Sequence, residues 1–184
     1  VAAVELGKAM GARVIATASS EEKRALALAH GADHVVAVPS PEAREQILAL
    51  APGGADVVFD PIGGDVFDLS LRCVANSGRI LIIGFAGGRV QQIPANHLLV
   101  KDVAVLGFNY GNWVGWGRVD ERRKHESDVR EAFRRMFAWY EDGKLKPTTS
   151  HRFPLRDYKA AMEAVLQRQS MGKTVLRMPV ADPA

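Results

Sequence analysis

The sequence predicts an α/β chain built on a doubly wound parallel sheet that lacks its first strand. Three observations carry that expectation. Short, near-continuous apolar runs recur along the chain (ARVIATA, DHVVAV, ADVVFD, GRILIIGFA), and strands covered on both faces read this way. Helical stretches of roughly ten residues separate them, the alternation that right-handed crossovers between parallel strands require. Glycines cluster at the joints and follow no fixed repeat period, which argues against a solenoid.

In chain order, VAAVELGKAM reads as a helix with Val1 and Val4 on one face and Glu5 and Lys8 towards water. No capping residue stands ahead of it, so the chain reads as one that opens inside a helix. Gly11 ends this helix, and Ala12 to Ala18 is a strand. Ser19 or Ser20 caps a helix running to His30, with Glu21 and Glu22 well placed in its first turn. The strand Asp33 to Val38 follows, and Ser40-Pro41 opens the next helix, since proline at the first helical position gives up no needed hydrogen bond. Then come the strand Ala55 to Asp60, a helix Asp65 to Val74, a buried strand Gly78 to Ala86, a turn-helix in IPANHLLVKD and a strand Val103 to Gly111. The doubly wound order 3-2-1-4-5-6 has one strand more, and the absent one belongs ahead of Val1.

After Gly111 the rhythm changes. Asn112 to Ser127 reads as a charged loop, and Asp128 to Glu141 as a helix turning Val129, Phe133, Met136, Phe137 and Tyr140 towards the sheet. The extended pieces near 147–153 and 174–178 flank a helix from Leu155 to Arg168 and read as sheet-edge strands or strands crossing to another domain. Residues 1–145 are therefore expected to form a truncated dinucleotide-binding domain, and 146–184 a C-terminal segment of helix and strands.

Composition narrows the function. The chain has 184 residues, 47% hydrophobic and 24% charged, with a net charge of +3, the profile of one globular domain. Its densest basic stretch, Arg118 to Arg135, mixes both signs, which reads as a solvated surface and not as a nucleic-acid face. Cys73 is the only cysteine, so neither an internal disulfide nor a cysteine-based zinc site can form, and a cytoplasmic setting is expected. No run approaches the roughly 20 apolar residues that cross a bilayer. GxSxG and GxGxxG are both absent, and of the five histidines only His30 and His34 stand four apart, with Gly31 separating them into a turn and a strand and not one helix face.

The chemistry is expected just beyond the strand ends, where this architecture binds ligands. Three of those ends are glycine-rich: Asp60-Pro61-Ile62-Gly63-Gly64, Gly84-Phe85-Ala86-Gly87-Gly88 and Gly107-Phe108-Asn109-Tyr110. Asp60 could serve as a base, while Asn109 and Tyr110 stand at the mouth. NAD selection would place a carboxylate at the end of the second strand. This chain has Ala18 and Ser19 there, followed by Lys23 and Arg24. Hydroxyls and cations suit a 2′-phosphate, so NADP fits better.

GARVIATASSEEKRALALAHGADHVV, ADVVFDPIGGDVF, GRILIIGFAGG, IPANHLLVKDVAVLGFNYG and GKTVLRMP, in that order and spacing, resemble the cofactor half of the zinc-independent NADPH:quinone oxidoreductases in the medium-chain dehydrogenase/reductase superfamily. The resemblance implies a Rossmann-like NAD(P)-binding domain, preceded in the family by a first strand, a glycine-rich turn and a GroES-like catalytic domain that this sequence does not contain. It places Ser19 and Lys23 at the 2′-phosphate of NADPH. A tyrosine that some members use there falls at Val38, so that contact is lost. Asp60, Pro61 and Ile62 match the loop beside the adenosine and ribose, and Gly84, Phe85 and Ala86 match the segment facing the nicotinamide amide. Arg168 matches a basic residue near the cofactor. The implied reaction is metal-free hydride transfer to a quinone or activated enone, with no side chain of this chain as proton donor. The implied assembly is a homodimer through the edge strand 103–109. An enoyl-thioester or alkenal reductase, a non-catalytic nucleotide-binding or interaction module and, less well matched, a methyltransferase remain as alternatives.

Overall fold

The computed structural model describes residues 1–167 and 169–179. The alternation is realised: α1 (Ala2–Ala9), β1 (Ile15–Ala18), α2 (Glu21–Ala29), β2 (His34–Ala37), α3 (Ala43–Leu50), β3 (Ala55–Asp60), α4 (Gly64–Cys73), β4 (Val74–Ile82), α5 (Ala95–Lys101) and β5 (Ala104–Gly107). The strands pair in parallel as two groups, β1 with β2 and β3–β4–β5 in that order. Ile15 stands opposite His34, Val58 opposite Ile80, and Ile80 opposite Val105. Among the described residues no ladder joins β1 to β3. The doubly wound order puts its first strand between the second and the fourth, and the division falls at that place. The topology is that of a Rossmann-like NAD(P)-binding sheet without its first strand and glycine turn.

Several boundaries differ from the sequence reading, each for a local reason. β1 starts at Ile15 and not Ala12, because the Asp33 carboxylate takes the Val14 amide at 2.6 Å and the Lys8 ammonium at 2.8 Å. α3 starts at Ala43 and not at Pro41, because Ser40 Oγ accepts the Glu42 amide and the Ser40 carbonyl accepts the Ala43 amide, making a turn first. β5 ends at Gly107, since Asn109 Oδ1 accepts the Gly111 amide and caps the short helix α6 (Tyr110–Trp113). The next helix, α7 (Arg122–Glu141), begins six residues earlier than the expected Asp128. Ion pairs at helical spacing, Lys124 with Glu121 and Arg130 with Glu126, support that extra turn and a half.

The core lies on one side of β3–β5. Phe67 and Leu71 of α4 pack on Val74, Ile80 and Val103, with Val58, Ile82, Leu98 and Val105 around them. A second cluster joins Val36, Ala43, Ile47 and Cys73, and a third joins Val4, Ala27 and Ala32. The apolar stripe expected to turn towards the sheet is uncovered: α7 has no buried residue, and Phe137 is 60% exposed. Its main described neighbour is α6, and the opposite sheet face, including Val57, Phe59 and Leu106, is also open.

The C-terminal segment forms β6 (Thr149–Pro154), a short 3-10 turn, α8 (Tyr158–Leu166) and β7 (Lys173–Arg177). β6 and β7 pair with each other in parallel, so the extended pieces find partners within the segment itself. Glu5, expected towards water, is 7% exposed. Its Oε1 lies 2.7 Å from His30 Nδ1 and accepts the Lys146 amide at 3.0 Å, while His30 Nε2 lies 2.9 Å from Thr148 Oγ1. This buried junction ties α1 and α2 to the start of β6.

Candidate functional site

The end of β1 is polar and free of acidic partners. Ser20 is the N-cap of α2, its hydroxyl accepting the Lys23 amide at 3.3 Å, which leaves Ser19 exposed ahead of the cap. Lys23 and Arg24 are half-buried in the first turn of α2. Neither forms an ion pair with a carboxylate among the described residues. Arg24 Nη1 donates to the Ala18 carbonyl at 3.2 Å, and the Val38 amide donates to the same oxygen at 3.2 Å. The ends of β1 and β2 are thus held together beneath a guanidinium.

The two loops matched to the ribose and nicotinamide sides come together beyond β3 and β4. Regular pairing stops at Asp60 and Ile82 because Pro61 has no amide hydrogen to give. The contact continues through single bonds: Ile83 N to Asp60 O at 2.9 Å, Ala86 N to Pro61 O at 3.1 Å, and Gly87 N to Ile62 O at 2.9 Å. A side chain at Gly84 would place its Cβ 3.3 Å from the Pro61 carbonyl oxygen. Glycine here therefore suits the close approach of one loop to the other, whatever ligand lies above them. Pro61 and Ile62 are exposed, and so are Phe85 and Ala86.

Asp60 is the keystone of that arrangement. It is 2% exposed, and Oδ1 accepts the amides of Ile62 at 2.8 Å and Gly63 at 2.9 Å. Both bonds shape the turn into α4, where Gly63 adopts φ +71°, a conformation open to glycine at no steric cost. A carboxylate engaged with backbone on one oxygen and buried on the other is poorly placed as a general base. Oδ2 and the nearby Gln91 Oε1 are both buried without a hydrogen-bond partner. The role of Gln91, folded against Gly63 by the loop after β4, carries no signal in the sequence.

Other features stand apart. Arg168 lies outside the described residues. At the end of β5, Trp113 stacks on His125 at 4.1 Å and meets Phe108 edge-on at 5.4 Å, so the aromatic residues there pack mainly on each other. The hollow lined by Arg44, Leu71, Arg72, His97 and Lys101, about 510 Å³, involves the C-terminal end of α4 and so the opposite end of the strands. Burial pushes the Cys73 thiol up, away from thiolate chemistry. Among the described residues no group of three or more His, Cys, Asp or Glu side chains converges, and no helix is long and apolar enough to cross a membrane.

Residues 1–127 match the family model described as zinc-binding dehydrogenase. Quinone oxidoreductase-like protein 2 of Bos taurus is 35% identical over 91% of this chain and 46% of that protein. A 2-haloacrylate reductase of Burkholderia sp is 31% identical over 91% of this chain and 48% of that protein. Among solved structures, the quinone oxidoreductase from Thermus thermophilus, whose complex with NADPH is also known, superposes with a TM-score of 0.79 at 34% identity, covering 96% of this chain and 53% of that one. The chain spans about half the length of the curated relatives it matches.

Proposed function

Because the chain belongs to the zinc-binding dehydrogenase family, in the quinone-oxidoreductase-like branch of the medium-chain superfamily, we propose that it is the cofactor-holding portion of an NADPH-dependent oxidoreductase. In this reading the whole protein passes hydride to a quinone or an activated enone without a metal. The observation that carries it is the end of β1: a free hydroxyl at Ser19, cations at Lys23 and Arg24, and no carboxylate where a ribose 2′-hydroxyl would need one. The donor set fits a 2′-phosphate. NADPH supplies the hydride when bound; the protein supplies orientation and electrostatics.

Each residue then has a task. Ser19 and Lys23 hold the 2′-phosphate. Asp60 fixes the turn that carries Pro61 and Ile62 beside the adenosine and ribose. Gly84, Phe85 and Ala86 present backbone to the nicotinamide amide, their distance from the first loop set by the bonds to Pro61 and Ile62. No side chain of this chain serves as proton donor. The C-terminal segment, tied back to α1 and α2 where Lys146 and Thr148 meet Glu5 and His30, returns the chain towards a catalytic domain. β5, an edge strand with Ala104 and Leu106 exposed and Phe108 exposed just beyond it, pairs with its copy in a cytoplasmic homodimer, because an open apolar edge otherwise invites aggregation.

The Burkholderia relative, a 2-haloacrylate reductase by name, favours an activated alkene as a second acceptor class. Both are tested by following NADPH oxidation by the full-length protein with quinones and with conjugated enones, with and without a chelator. Chelator-resistant turnover of either acceptor supports the proposal. Cofactor binding with no turnover on any acceptor would instead indicate a nucleotide-binding module.

A further inference from the structure

We infer that Arg24 is a second specificity-determining residue for the cofactor's 2′-phosphate, acting beside Lys23 from a fixed position between the ends of β1 and β2. The inference rests on the reading of the β1 end as a 2′-phosphate site and deepens it. Its observations are geometric. The Arg24 guanidinium reaches back from the first turn of α2 to the Ala18 carbonyl, donating from Nη1 at 3.2 Å. The Val38 amide meets the same oxygen, so the guanidinium is held where the ends of both strands converge. One N–H bond of five is spent there. No described carboxylate lies within ion-pair distance of the others, although Glu21 and Glu22 belong to the same turn.

The chemistry follows from what else stands at that place. Val38 offers an apolar side chain, and Ser20 Oγ is committed to capping the Lys23 amide. Ser19 and Lys23 are then one neutral donor and one mobile point charge. A planar guanidinium pinned at one nitrogen keeps its remaining donors in a defined fork. Such a fork matches phosphate oxygens two at a time, which an ammonium cannot do. A 2′-hydroxyl gains little from it, so Arg24 separates the two cofactors by phosphate recognition and not by general affinity.

The experiment is calorimetric titration of the full-length protein with adenosine 2′,5′-bisphosphate and with adenosine 5′-monophosphate, comparing wild type, Arg24→Gln, Arg24→Lys and Lys23→Ala. Glutamine keeps an amide N–H for the Ala18 carbonyl while removing the charge and the fork, and unchanged binding of the 5′-monophosphate reports an intact site. Arg24→Gln should weaken the bisphosphate by about ten- to a hundredfold, the loss of charge-assisted hydrogen bonds, with the 5′-monophosphate unaffected; Arg24→Lys should recover only part. Equal weakening of both ligands would make Arg24 a purely structural tether and overturn the inference. So would an unchanged preference in Arg24→Gln alongside a lost one in Lys23→Ala, which leaves the 2′-phosphate reading standing. Absence of any bisphosphate preference in wild type would remove that reading itself, and the inference with it.

Discussion

Replacing Asp60 with alanine should cost both stability and cofactor binding, and the structure gives the size of the first loss. Oδ1 accepts two backbone amides, from Ile62 and Gly63. Hydrogen bonds to a charged acceptor contribute about 1.5–3 kcal/mol each, so about 3–6 kcal/mol is removed. Oδ2 is buried with no donor, and deleting an unpartnered polar atom returns about 1–3 kcal/mol. The two ranges together span about 0–5 kcal/mol and their midpoints give a net loss of about 2–3 kcal/mol, read as a lower urea midpoint at unchanged slope. Asp60→Asn keeps an oxygen acceptor for the same amides and should cost less than half as much. Hydrogen exchange should locate the damage, with Ile62, Gly63, Ala86 and Gly87 deprotected in the alanine variant, since the second loop hangs on the first. An alanine variant within about 0.5 kcal/mol of wild type, or an asparagine variant as weak as the alanine one, would refute the assignment of Asp60 to the turn.

Three further outcomes are expected. Gly84→Val pushes a branched side chain against the Pro61 carbonyl, where even a Cβ would stand at 3.3 Å; calorimetry on the full-length protein should show NADPH weakened at least about tenfold, and an unchanged Kd would separate the two loops from the site. Glu5→Ala leaves the Lys146 amide and His30 without their acceptor and should cost about 2 kcal/mol, with faster hydrogen exchange through Lys146–Phe153; exchange confined to α1 would deny the tie. The hydrogen bond from Lys8, joined by the Val14 amide, holds the Asp33 carboxyl below its ordinary range. A depressed carboxylate stabilises above its unfolded pKa, near about 4, and that contribution is lost as pH falls through the lower native value. Denaturation midpoints of wild type should therefore decline in this acid window more steeply than those of Asp33→Asn, and parallel profiles would count against the pairing.

The parallel alternation was legible because its strands are near-continuous apolar runs, as at ADVVFD, where the expected and observed limits coincide, although the face carrying Val57 and Phe59 is open and not covered as such a run implies. Counting strands against the doubly wound order left one missing; the split between β1 and β3, which the count did not foresee, falls where that strand would stand. Boundaries failed where a side chain replaced the ladder or the helix bond: Asp33 taking the Val14 amide, Ser40 making a turn ahead of α3, Asn109 capping α6. Glu5 was misplaced because helical periodicity cannot foresee a histidine from α2 and an amide from beyond residue 145 converging on one carboxylate. At the site, the order of the elements located the strand ends, and the family resemblance named the residues on them. The tether of Arg24 to Ala18 and the fold of Gln91 onto Gly63 were not, since both arise from tertiary approach.

The central claim, that the β1 end selects NADPH, is tested most directly by titrating the full-length protein with NADPH and NADH in one buffer at fixed salt. The account predicts tighter NADPH binding, with the difference shrinking as ionic strength rises because it is carried by phosphate contacts. Equal affinities, or a preference for NADH, would contradict it.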